Sequence, residues 1–129
     1  MTKYERERIE AMMKLGCVFC AVLGVVNAHQ LECHHIVEGN RRLGHWYTLP
    51  ACIGHHRGHF TPEQVQILEA LAREKDLAPH ALLVGIASGS KAFEPYYGTE
   101  REMWTKVQRR LKLPAIWVHS KIVPRWVSV

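Results

Sequence analysis

The sequence predicts a small α+β domain: a β-hairpin and a following helix, braced by zinc and flanked by further helices. Three observations predict it. Two β-rich stretches, "LECHHIV" and "HWYTLPAC", enclose a basic loop. Two x2-spaced ligand pairs, Cys17-x2-Cys20 and Cys52-x2-His55, bracket those stretches. Helical periodicity with capping-box signatures takes over on the C-terminal side. At 14.8 kDa and 47% hydrophobic residues, the chain can close one ordinary core, so one domain spanning 1–129 is expected.

Taken in order, residues 3–15 put Ile9, Met12 and Met13 on one side and charges elsewhere. That is an amphipathic helix, which Gly16 can stop, so 1–16 forms an N-terminal helical segment. Residues 17–60 hold the ligand pairs and the hairpin. The stretch from Val22 to Val37 is rich in β-branched residues and broken near Asn27-Ala28, and its end, "LECHHIV", reads as strand one. Glu38 to Gly44 is a loop, and "HWYTLPAC" returns as strand two, with Pro50 at an end or edge because it cannot donate to a ladder. "IGHHRGHF" is expected to be helical despite two glycines.

Thr61-Pro62-Glu63-Gln64 supplies an N-cap, a first-turn proline and a capping-box glutamine, opening a helix to about Lys75 with Val65, Leu68, Leu71 and Ala72 as its buried stripe. "GIASGSKAFEPYYG" reads as turn and loop. Thr99-x-x-Glu102 opens another helix, with Met103, Trp104, Val107 and Leu111 at helical spacing until Pro114. Residues 61–113 are therefore a helical part. The basic stretch 114–129 is an extended tail: an edge strand, a mobile tail or a phosphate-contacting arm, which the sequence does not rank.

The opening MTKYERERIE has no apolar run of signal-peptide length, and no stretch approaches the ~18 uncharged residues of a membrane span. A cytoplasmic protein without a membrane partner is expected. There, four cysteines are a poor disulfide framework. A net charge of +5 and a pI near 9.2 favour a polyanionic partner, because each Lys or Arg meeting a phosphate releases condensed counterions.

Zinc prefers four tetrahedral ligands drawn from thiolate and imidazole, and Cys17, Cys20, Cys52 and His55 supply them as two knuckles. One ion would pin the N-terminal segment to the far end of the hairpin. A thioredoxin-like redox pair should follow a strand and precede a helix, but here a helix precedes the pair and a Val-rich stretch follows. Haem attachment needs a histidine after the second cysteine, where Ala21 stands. Cys33 is either a small buried hydrophobe or the fourth zinc ligand in place of His55.

Six of the nine histidines, His34, His35, His45, His55, His56 and His59, fall between residues 34 and 59. Any one of them alone reads as an ordinary hydrogen-bonded histidine; six within a strand, loop, strand and helix need a common cause. Adjacent strand residues face opposite ways, so His34 and His35 cannot both ligate one ion in a regular strand. At a strand end, one can hold a metal while its neighbour addresses a water beside it. His56 and His59, three apart on the helix, share a face and with a strand histidine would make an open metal site.

"CVFC", "ECHHIVEG" and "YTLPACIGHHRGH" together resemble the HNH endonucleases, whose ββα-metal motif is a hairpin plus a helix gripping one divalent cation. "SKAFEPYYGTEREMW" and "SKIVPR" extend the resemblance, more weakly, to phage and prophage proteins similar to the recombination-enhancement (RecA-dependent) nuclease family Ref. The resemblance implies His35 as general base, and His34 and His56 as ligands of a catalytic cation (Mg2+, Mn2+, Ni2+ or Zn2+), with imidazole-only ligation facing the substrate. It implies a residue orienting the base, often an asparagine on strand two. None stands there, and His45 is favoured over Tyr47 for that task because its ring can donate or accept. A variant ligand set, His55 with His59, would take His55 away from zinc. DNA is the implied substrate, in the cytoplasm of a bacterial host, with a RecA-type filament as implied partner. Arg41, Arg42 and Arg57 are candidates for the flanking phosphates. Two rival readings remain: a zinc-finger DNA-binding protein without catalysis, and a module that docks on a recombinase filament.

Overall fold

The computed structural model describes residues 1–111; the expected tail over 114–129 lies outside the described residues. Helix α1 (Lys3–Met13) starts from a full capping box between Thr2 and Glu5. After Gly16, at φ +86°, a short α2 (Val18–Val22) begins on Cys17. Strand β1 (Leu31–His35) pairs antiparallel with β4 (Thr48–Cys52), with His34 opposite Leu49 and His35 opposite Thr48. Between them β2 (Val37–Glu38) and β3 (Arg41–Arg42) form a separate two-stranded tip.

Helix α3 (Ile53–Arg57) follows β4 directly and ends at Gly58, in the left-handed region. Helix α4 (Pro62–Glu74) carries the expected Thr61–Gln64 capping box, burying Leu68 and Ala72. A 3-10 turn (Ile86–Ser88), α5 (Ser90–Tyr97) and α6 (Glu100–Leu111) complete the described chain.

The five residues of β4 are all buried. Helices α1, α2 and α6 pack against this strand, which leaves it no solvent face. Pro50 lies opposite Cys33 in a two-stranded sheet, where each strand has an unpaired edge that tolerates its missing N–H. Met12, Phe19, Leu49, Phe93, Met103 and Trp104 centre the main core, and a smaller cluster of Leu68, Ala72 and Leu82 seats α4. The fold is thus a small α+β domain.

Three expectations are corrected. The 38–44 loop contains β3 and a two-residue turn: Gly39 and Asn40, at φ +56° and +63°, give the left-handed pair that matches strand twist. The Val-rich stretch after Cys17 starts as helix, because the Cys17 sulfur accepts the Cys20 N–H and nucleates a turn against β-propensity. "SKAFEPYY" is helical despite Pro95, held by burial of Phe93 and Tyr97 on one face.

Candidate functional site

The turn into α2 and the corner between β4 and α3 bring Cys17, Cys20, Cys52 and His55 together, all four buried, with their ligand atoms within 4.8 Å of one another. His55 Nδ1 lies 3.7, 3.5 and 3.3 Å from the sulfurs of Cys17, Cys20 and Cys52. A tetrahedral zinc with sulfur at ~2.3 Å and nitrogen at ~2.0 Å sets S and N about 3.5 Å apart, so the donor set fits that ion. Backbone N–H groups of Cys20 and His55 point at the sulfurs of Cys17 and Cys52, as do the side-chain amides of Asn27 at Cys20 and Gln64 at Cys52.

The hydrogen-bond chain beyond the cluster sets the tautomer of His55. The Tyr97 hydroxyl donates to the Leu82 carbonyl at 2.6 Å, so it accepts from His55 Nε2–H at 2.9 Å. Nδ1 is left with its lone pair toward the sulfurs, the form a metal requires. Burial raises the Tyr97 pKa, which keeps the phenol a donor. Phe19 stacks on the His55 ring at 5.2 Å, with Phe60 and Tyr97 edge-on at 5.2 and 5.1 Å. Within the thiol trio, hydrogen bonds from Cys17 and Cys20 push Cys52 down, while Cys20 is pushed up by its bonds to Cys17 and Cys52.

A second group forms on the other side of the α3 start. The rings of His34, on β1, and His56, on α3, stand 5.2 Å apart and edge-on. Each has a carboxylate on one nitrogen: Glu100 Oε1 lies 2.6 Å from His34 Nε2, and Glu32 Oε1 lies 2.9 Å from His56 Nδ1. The hydrogen bonds to Glu32 from His56 and then Arg57 hold its carboxyl below the usual range. His35 Nε2 meets His45 Nδ1 at 3.1 Å. Burial, followed by the charges of Arg42, His45 and His34, lowers the His35 pKa from the ordinary histidine value.

The family model for recombination enhancement, RecA-dependent nuclease matches residues 1–112. The chain belongs to that family. No curated protein matches it. The family's description names a nuclease of recombination, in line with the resemblance in the sequence. Among the described residues of this RecA-dependent nuclease family member, no helix is long and apolar enough to cross a membrane.

In this family member the expected zinc ligands Cys17, Cys20, Cys52 and His55 gather as one set, and Cys33 stays outside it. His55 turns Nδ1 to the three sulfurs and Nε2 to Tyr97, so both its nitrogens are engaged; the variant ligand set would instead draw on it together with the exposed His59. His34 meets His56, and His35 meets His45, which lies in the turn before β4 rather than on the strand. His59 departs from expectation: Gly58 at φ +85° ends α3 at Arg57, so no helical face is shared with His56, and His59 is exposed.

Arg41 and Arg42 are exposed on β3. Arg57 grips Glu32 with two nitrogens, at 2.8 and 2.5 Å. Glu32 and Glu100 stand behind the two imidazoles, each carboxylate on one ring nitrogen. Glu32 was within reach of the sequence, since residues two apart on a strand share a face with each other, here Glu32 and His34. Glu100 lies too far along the chain for any local signal.

Proposed function

We propose that residues 1–129 form one HNH-type nuclease domain that hydrolyses DNA phosphodiester bonds with the help of a divalent cation. One observation carries the reading: His34 and His56 stand 5.2 Å apart while the next strand residue, His35, meets His45 at 3.1 Å. His34 and His56 would hold the cation; Glu32 occupies Nδ1 of His56 and leaves Nε2 for that role. When bound, the cation (Mg2+, Mn2+, Ni2+ or Zn2+) supplies Lewis-acid charge neutralisation at the scissile phosphate and the departing 3′ oxygen. His59, exposed past the end of α3, is left out of the set.

The remaining work falls to the chain's own groups. His35 takes the proton from the attacking water, and its lowered pKa keeps the ring neutral, hence basic, at neutral pH. A contact between two neutral imidazoles needs one N–H and one lone pair. For His35 to act as base, its Nε2–H is the donor and His45 Nδ1 the acceptor, so that His35 Nδ1 keeps its lone pair for the proton. Arg41 and Arg42 engage phosphates flanking the cut, and Arg57 secures Glu32 while adding positive charge beside His56. The family's description supports a RecA-type filament as partner.

A zinc-finger protein without catalysis would use the Cys17, Cys20, Cys52 and His55 set but leave both histidine contacts idle. His35→Ala should keep zinc content and melting temperature while DNA cleavage falls by ~100-fold or more, the scale of a lost general base. Cleavage at the wild-type rate rejects His35 as base. Assays on single- and double-stranded DNA, with and without a RecA filament, test the dependence, and cutting of naked duplex argues against it.

A further inference from the structure

We propose that Glu100, outside the hairpin-helix core, is a positioning residue of the metal centre: its carboxylate accepts the His34 Nε2–H and fixes that ring with its lone pair on Nδ1. The inference rests on the reading of His34 as a ligand. The contact is 2.6 Å, and the two side chains are only 11% and 24% exposed. An imidazole has two ring nitrogens, so holding one selects the other for coordination. His56 repeats the arrangement with Glu32 at 2.9 Å. Two adjacent imidazoles, each with a carboxylate on one nitrogen and the other nitrogen uncommitted to it, match the carboxylate–histidine–metal pattern.

The common explanation for an acid at the start of a helix does not account for Glu100. Glu102 already caps α6: its carboxylate meets the Thr99 hydroxyl at 3.2 Å, and Thr99 accepts the Glu102 N–H at 3.1 Å. Glu100 instead turns toward β1. Its backbone is fixed from both sides of the same turn. Arg101 grips Glu38 on β2 at 2.7 and 2.8 Å, and the fully buried Trp104 donates to the Trp46 carbonyl at 2.9 Å. A carboxylate carried on so anchored a turn is preorganised to hold a ring in one orientation.

The test uses the full chain with zinc at the cysteine set and titrates Ni2+ by calorimetry. Wild type should take up one further equivalent, and His34→Ala should lose it. Glu100→Ala should weaken that equivalent by about 10–100-fold, the range for partners one step behind a ligand. Glu100→Gln, which keeps volume and an acceptor but no charge, should weaken it less; it carries the test if the alanine variant does not fold, as judged by melting temperature and zinc content. Nitrogen chemical shifts of the His34 ring without added Ni2+ should report the Nε2–H tautomer in wild type and a mixture in Glu100→Ala. Wild-type Ni2+ affinity with an unchanged tautomer in Glu100→Ala overturns the role of Glu100. Failure of wild type to take the further equivalent, or its survival in His34→Ala, instead overturns the reading of His34 on which this inference stands.

Discussion

Arg8 shows how one residue can tie the core to the site. It is fully buried, and among the described residues its hydrogen bonds go to neutral groups: Gln108 Oε1 at 2.8 Å, Thr48 Oγ1 at 2.7 Å, the Thr48 carbonyl at 3.2 Å and the Met12 sulfur at 3.4 Å. Burial lowers its pKa to about 10, so it remains a cation at neutral pH. Because folding lowers this pKa, the cost of burying the charge is present throughout neutral pH and eases only as pH rises through about 10. The Thr48 hydroxyl in turn donates to the His45 carbonyl at 3.1 Å, linking Arg8 to the residue that contacts His35. Arg8→Ala leaves a cavity and strips Thr48 and Gln108 of a donor, and should cost about 3–5 kcal/mol in urea unfolding. Arg8→Met refills the volume with no charge to desolvate, and should cost clearly less. A methionine variant as unstable as the alanine one would mean that the hydrogen bonds, rather than the space, carry the position.

At the scale of elements, the start of the 3-10 turn lies close against the backbone of α3 at His55. A Cβ on Gly85 would overlap the His55 carbonyl oxygen and come within 2.7 and 2.8 Å of its C and Cα, all backbone atoms with little room to give. Gly85→Ala should therefore lower stability by about 1–3 kcal/mol and speed zinc loss to a chelator, read by melting temperature and by zinc release. Unchanged zinc release would show that α3 can shift without disturbing His55. This approach is invisible in the sequence, whereas β1, β4, α4 and α6 are legible from β-rich composition, caps and periodicity. Helix α5 is hidden by Gly89 and Pro95, although Phe93 and Tyr97, four apart, carry the helical signal. The Cys17, Cys20, Cys52 and His55 set is legible because residue type and x2 spacing encode it, whereas the parts given to His34, His56, His35 and His45 come from the resemblance to the HNH endonucleases. Glu100 is not legible, because only the packing of α6 against the hairpin brings it to His34.

Over the whole molecule, the cysteine set joins the α1–α2 turn to the β4–α3 corner, and Gln64 brings in α4 through the Cys52 sulfur. His55 faces the sulfurs while His56, the next residue on the same short helix, faces His34. Loss of the ion would therefore loosen α3 and displace His56 along with it. Metal binding at such a site is folding energy, several kcal/mol or more even where a hydrophobic core remains. Prolonged chelation should lower the melting temperature by about 10 °C or more, given ~4–8 °C per kcal/mol in a domain of up to 100 residues and somewhat less in a larger one. It should also abolish cleavage. Adding Mg2+ to the chelated protein should restore neither property, because a hard, oxygen-seeking cation does not replace zinc among thiolates. Zinc added back before Mg2+ should restore both. Recovery of cleavage with Mg2+ alone, at the lowered melting temperature, would separate the two centres and show that His56 keeps its place without the zinc beneath it.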